Sequence, residues 1–156
     1  LYRQESDHRF SDVTWLAGTA TELNGRALWL DVDRDGDLDL VTAPSGNWTL
    51  HRNDLRNSNH WIELRLAAPT GNTAAIGARV TVRDANNVTR IREVEGGGAT
   101  WGTQTSGLLH VGLGASAGAV RVSVRWPDGM TTESPDLAVD RAWRIPRTGA
   151  PTALPR

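Results

Sequence analysis

The sequence contains no cysteine and no lysine, and only one methionine, one tyrosine and one phenylalanine in 156 residues. Without thiols there is no disulfide framework and no thiolate nucleophile, which leaves the redox compartment open. Without an ammonium side chain, Schiff-base and lysine-nucleophile chemistry are excluded; all 17 basic residues are Arg. Against 18 acidic residues they leave a net charge of −1, so no strong field points to nucleic acid or to an anionic membrane. No apolar run approaches the ~18 residues of a membrane-spanning helix. Tryptophan is what the chain has in excess, with seven residues, and its broad amphipathic ring suits β packing, an interface or sugar stacking. The length allows one medium domain or two small ones with a buried core. The chain opens at Leu1 without Met or a leader and is expected to be a mature or excised piece.

Asp31-Val32-Asp33-Arg34-Asp35-Gly36-Asp37-Leu38-Asp39 places five carboxylates in nine residues. Acids at alternate positions, with Gly36 to turn the backbone and the Asp37 carbonyl as a further donor, can wrap oxygens around one hard cation. An EF-hand loop begins this way but ends on a bidentate Glu at its twelfth position, which here is Thr42. The flanks, Ala27-Leu28-Trp29-Leu30 and Leu38 to Ala43, are short and β-compatible, where an EF-hand needs two helices. A solvated Asp-Gly hairpin turn is the plain alternative. Crowded carboxylates without an ion repel one another, so the expectation is a Ca2+ loop between two strands, ligated by Asp31, Asp33, Asp35, Asp37 and Asp39. Magnesium, which keeps several waters, fits the pattern less well. Carboxylates saturated by calcium leave none free for acid–base catalysis.

Upstream, Leu1 to Gln4 and Arg9 to Val13 read as a hairpin, and Pro44-Ser45-Gly46-Asn47 turns the chain into a further strand from Trp48 to Arg52. Leu28 and Leu30 fall on one face of their strand, Ala27 and Trp29 on the other, so this sheet expects cover on both sides. The run from Ala27 to Val41 resembles an FG-GAP (VCBS-type) repeat, the blade unit of integrin-like β-propellers, and Leu50-His51-Arg52-Asn53 is similar to a strand of such repeats. The turn Glu5 to Arg9 departs from the repeat's Asn-Gly-Asp-Gly-Thr habit, so no second ion is expected there. One repeat alone is present, whereas a propeller needs several.

Beyond a polar linker, Asp54 to Asn59, the strands lengthen and alternate strictly. Trp61, Glu63 and Arg65 point one way, and Ile62, Leu64 and Leu66 the other. Further strands over Ala78–Arg83, Thr89–Val94, Leu109–Leu113, Val120–Trp126, Met130–Thr132 and Ala142–Ile145, without helical period, predict a β-sandwich. Residues 147–156, rich in proline, are expected to form an extended tail outside the core. Asn59-His60-Trp61-Ile62-Glu63-Leu64-Arg65-Leu66, Ala75-Ile76-Gly77-Ala78-Arg79-Val80, Arg92-Glu93-Val94 with Gly96-Gly97-Gly98, Leu109 to Gly114 and Val122 to Gly129 resemble the ASPIC/UnbV domain. In that family the domain follows FG-GAP repeats, as in the secreted cartilage acidic protein group. Thr100-Trp101-Gly102-Thr103-Gln104 departs from the family's Tyr-Leu-Ser-Gln-like loop.

The remaining candidates are weighed against structural roles. His110 lacks a nucleophile or orienting partner and reads as a packed or capping residue. His51 and His60 read as surface histidines in place of a transition-metal pair. Gly96-Gly97-Gly98 and Gly112-Leu113-Gly114 open no helix and so offer no phosphate loop. Trp48, Trp101 and Trp126 are candidate stacking platforms, with a covering role for Trp101 the stronger reading. Asn47-Trp48-Thr49 and Asn87-Val88-Thr89 are glycosylation triplets at expected turns. The expected architecture is all-β: a blade-like antiparallel sheet with a calcium loop (1–57), an immunoglobulin-like sandwich (58–146) and the tail. The expected function is non-catalytic: an extracellular calcium-binding module for adhesion or self-assembly, with a filament-forming subunit as the form that assembly would take. Its expected partners are other copies of itself or an extracellular protein. A glycan-binding module, or a fragment of a larger propeller protein, is the alternative.

Overall fold

A computed structural model of the chain describes residues 1–20, 25–44, 47–55, 57–69, 71–97 and 107–155. Among them the regular structure is all strand. The sandwich is built from two four-stranded sheets. One contains β6 (His60–Ala67), β9 (Leu108–Gly114), β12 (Arg141–Pro146) and β13 (Thr152–Ala153) in the order β13-β12-β6-β9. The other contains β7 (Arg79–Arg83), β8 (Thr89–Glu93), β10 (Val120–Arg125) and β11 (Thr131–Leu137) in the order β11-β10-β7-β8.

The strict alternation builds this core. Ile62 and Leu64 of β6, Val111 of β9 and Ile145 of β12 are fully buried. They meet Val80 and Val82 of β7 and Val120, Val122 and Val124 of β10 in one continuous cluster. Each such side chain contributes roughly 1.5–3 kcal/mol by leaving water. Trp126 joins the cluster, and its indole N–H donates to Thr132 Oγ1 at 2.8 Å.

Two features lie beyond what strand alternation marks. After β11 the chain crosses to the opposite sheet through Ala138–Asp140 and enters as β12 parallel to β6, with Trp143 beside Leu64. The tail is also less free than its composition implies. Thr152–Ala153 returns antiparallel to β12 and adds an edge strand.

The N-terminal region forms two sheets, not the single blade expected. β1 (Tyr2–Gln4) and β2 (Phe10–Asp12) pair only with each other. Their side chains are almost all exposed, so the hairpin buries no face that would hold it against a further strand. β3 (Gly25–Leu30), β4 (Asp39–Pro44) and β5 (Thr49–His51) form a separate antiparallel sheet. Its register sets Trp29 beside Leu40 and Leu40 beside His51 on one face, and Leu28, Val41 and Leu50 on the other. The acidic loop joins β3 to β4.

Candidate metal centre

The loop closes because its carboxylates take up its own amide groups. Arg34 and Gly36 adopt positive φ of 62° and 101°, reversing the chain twice. Asp31 Oδ2 accepts the Gly36 N–H at 3.0 Å, and Asp35 Oδ1 accepts the Asp37 N–H at 2.9 Å. Asp39, 1% exposed, accepts the Val32 N–H through Oδ2 and the Asn53 N–H through Oδ1, both at 2.8 Å. One carboxylate thereby ties the loop to the end of β5.

Oxygens of Asp31, Asp33 and Asp39 lie within 4.8 Å of one another. Asp35 and Asp37, also expected as ligands, are not part of that group. Asp31 Oδ1 is buried and accepts no hydrogen bond. A buried acceptor left unpaired costs about 1–3 kcal/mol, and more when charged. Burial pushes the Asp31 carboxyl above the usual carboxylate range; the Gly36 and Arg34 amides pull it down, and the Asp35 and Asp33 charges push it up again. Burial, then Asp35, likewise raises Asp37, against a lowering contribution from His110. A divalent cation reverses this electrostatic balance. The donor set is all oxygen, which fits a hard cation such as calcium. The orphaned Asp31 oxygen is the kind of group such an ion would satisfy.

The loop is docked on the sandwich, a feature no sequence pattern announced. His110 Nε2 lies 2.8 Å from the Gly36 carbonyl. A carbonyl only accepts, so the ring carries a proton on Nε2. Trp61 stacks on His110, with centroids 6.0 Å apart and planes at 17°. A Cβ on Gly36 would overlap the Trp61 indole, 2.5 Å from Cδ1 and closer still to Cε2 and Nε1. Gly36 is thus required twice, by its φ and by the ring lying against it. His110, read from sequence as packed or capping, caps a carbonyl of the acidic loop itself.

The other candidates disperse. His51 Nε2 meets Thr42 Oγ1 at 3.2 Å, while His60 Nδ1 meets Asp140 Oδ2 at 2.7 Å. Neither belongs to a metal-competent cluster among the described residues. Trp126 is 2% exposed, so it serves the core and is no stacking platform. Trp48 is 70% exposed, and Trp101 lies outside the described residues. Asn47 and Asn87 are both exposed, with Asn87 in the β7–β8 turn at a φ of 63°. Among the described residues no helix is long and apolar enough to cross a membrane.

No curated protein matches the chain. A crystal structure of a "putative cell adhesion protein" from Bacteroides ovatus ATCC 8483 aligns at 15% identity and a TM-score of 0.33. The alignment covers 83% of this chain and 58% of that one, so the chain spans little more than half that protein's length. The likeness is too slight to bear on fold or function. The family model of ASPIC and UnbV matches residues 68–152, more than half of the chain and the sandwich strands from β7 to β12, while β6 lies just before it. The segment resembling an FG-GAP repeat lies outside that match. On the sandwich strands, the chain belongs to the ASPIC and UnbV family.

Proposed function

We propose that the chain is a non-catalytic, calcium-dependent structural module of the extracellular space. In this reading the ion loop, of FG-GAP type, braces the β3–β5 sheet against the ASPIC/UnbV sandwich. The observation that carries the reading is the buried, unpaired Asp31 Oδ1 beside Asp33 and Asp39, in a loop whose Gly36 carbonyl is held by His110. An ion that satisfies the loop also stiffens its contact with the sandwich, so occupancy and the relative placement of the two parts are linked.

The module serves adhesion through self-assembly. Large apolar side chains stand in water mainly in the N-terminal third, with Trp15 86%, Leu16 83%, Trp48 70%, Tyr2 67% and Leu50 49% exposed. Exposed apolar surface of this density marks interaction sites, and a second copy presenting a different face would yield a ring or an open filament. Light scattering and electron microscopy with calcium present test the assembly. A monodisperse monomer at micromolar concentration refutes it. Calorimetric titration with calcium tests the ion, and a flat titration refutes that part independently.

A further inference from the structure

A cleft of about 740 Å³ lies between the β3 end of the acidic loop and the outer face of the β13-β12-β6-β9 sheet. The alternation that sends Ile62 and Leu64 into the core sends Trp61, Glu63 and Arg65 to this cleft. Trp29 reaches it from β3 and Arg92 from β8. Glu63 is the member without an explanation. It is only 8% exposed, yet its carboxylate accepts no hydrogen bond among the described residues. Its oxygens are not among the fully buried unpaired ones and so keep some access to the cleft, where a carboxylate without a partner is the natural contact for a ligand that brings donors.

Size and chemistry narrow that ligand. A single side chain from another molecule would fill only a fraction of the space, whereas clefts of roughly 300–1,000 Å³ hold small molecules. The ligand must offer an apolar face to Trp29 and Trp61, donors to Glu63 and acceptors to the guanidinium groups. Arg92 is aimed by its own bonds, Nε to the His110 carbonyl at 3.3 Å and Nη1 to the Ile91 carbonyl at 2.9 Å. A pyranose ring combines all of these: its C–H face stacks on an indole, and neighbouring hydroxyls donate to a carboxylate while accepting from a guanidinium. The geometry points to a saccharide site in this cleft, long enough for about one to three sugar units, with Trp29 and Trp61 as stacking surfaces and Glu63, Arg65 and Arg92 as hydroxyl partners. The inference goes beyond the structural role above and stands whether or not copies assemble.

The test uses the full chain with excess calcium, titrated with cellotriose, mannotriose and chitotriose, and followed by tryptophan fluorescence and calorimetry. The expected result is saturable binding of at least one of them with a Kd of about 1 mM or tighter. Trp29→Ala, Arg65→Ala and Glu63→Ala should each weaken it about tenfold or more, with Trp48→Ala binding like the parent. Trp29 and Arg65 are exposed, so their variants keep the test decisive if Glu63→Ala does not fold. No saturable signal from any of the three sugars overturns the inference, as does binding that the cleft variants leave unchanged. Self-association lost in Trp29→Ala, without sugar binding, assigns the cleft to a second copy and also overturns it.

Discussion

Replacing Gly36 by alanine probes the docking of the acidic loop on the sandwich. Two costs are expected. A side chain at a φ of 101° carries backbone strain of about 1–3 kcal/mol. The new methyl also overlaps the Trp61 indole, an overpacking of about 1–3 kcal/mol. The chain supplies its own control. Gly71 has a φ of 102° with nothing within 4 Å of where its Cβ would be, so Gly71→Ala carries the first cost without the second. In a protein of this size each kcal/mol shifts the melting temperature by roughly 2–4 °C. Gly36→Ala should therefore melt about 2–12 °C below Gly71→Ala, in circular-dichroism melts run with calcium. Displacing Gly36 also disturbs its amide bond to Asp31 and its carbonyl bond from His110, so calcium affinity should fall in this variant alone. If the two glycine variants melt together and bind calcium equally, the loop is not docked as described.

Saturating calcium should raise the melting temperature, by about 2.7 kcal/mol of added stability at a hundredfold excess over Kd; Asp33→Ala and Asp39→Ala should both abolish that rise. Only Asp39→Ala should also destabilise the chelated protein, because it strands the Val32 and Asn53 amides. The pH response of the chelated protein follows from the carboxyls whose folded pKa is raised: Asp31, Asp37 and Glu63, each chiefly by burial. The folded state holds these protons more tightly than the unfolded state, so stability falls as pH rises from the ordinary carboxylate values of 3.8 and 4.5 through the higher folded values. The lowered Asp84 carboxyl, bonded chiefly to Arg90, acts in the opposite sense below 3.8. Denaturant midpoints across acidic pH check both signs, and calcium should remove most of the fall. In the sandwich, Ile62→Ala should cost roughly 2–5 kcal/mol in urea unfolding, with calcium affinity little changed if the loop holds its own geometry.

How much of this was legible in the sequence depended on distance along the chain. The sandwich strands were readable because a half-buried strand writes its burial as alternation; Ile62, Leu64 and Leu66 against Trp61, Glu63 and Arg65 is that signal. The acidic loop was readable because its carboxylates lie close together in sequence. Of the five expected ligands, Asp35 and Asp37 stand outside the group of close-set oxygens. Asp35 is used on the Asp37 amide, and local spacing does not reveal which oxygens a turn will consume. The parallel β12–β6 pairing and the return of Thr152–Ala153 were not legible, since strand partners distant in sequence leave no periodic mark. The same holds for His110 and Gly36, which meet across 74 positions. The stacking role weighed for Trp126 failed for a related reason. Its ring follows three buried valines of β10 into the core, and composition alone does not separate a buried indole from an exposed one.

What links core, loop and cleft is the register of one strand. In β6 a slip by one residue would put Trp61, Glu63 and Arg65 into the core and turn Ile62 and Leu64 toward the acidic loop. The register is pinned at its start, where the ladder between β6 and β9 shifts at His60 and Trp61. There Asp140, held at a φ of 57°, donates its amide to the Trp61 carbonyl at 2.7 Å. Its carboxylate accepts the Trp61 N–H at 3.3 Å and meets His60 Nδ1 at 2.7 Å. The same residue turns the chain into β12 alongside β6. The sheet switch that makes β12 parallel therefore also sets the height of Trp61 on the outer face, and with it the indole that Gly36 lies against. Neither the docking of the acidic loop nor the cleft beside it is an addition to the sandwich; both follow from how one aspartate seats the start of one strand.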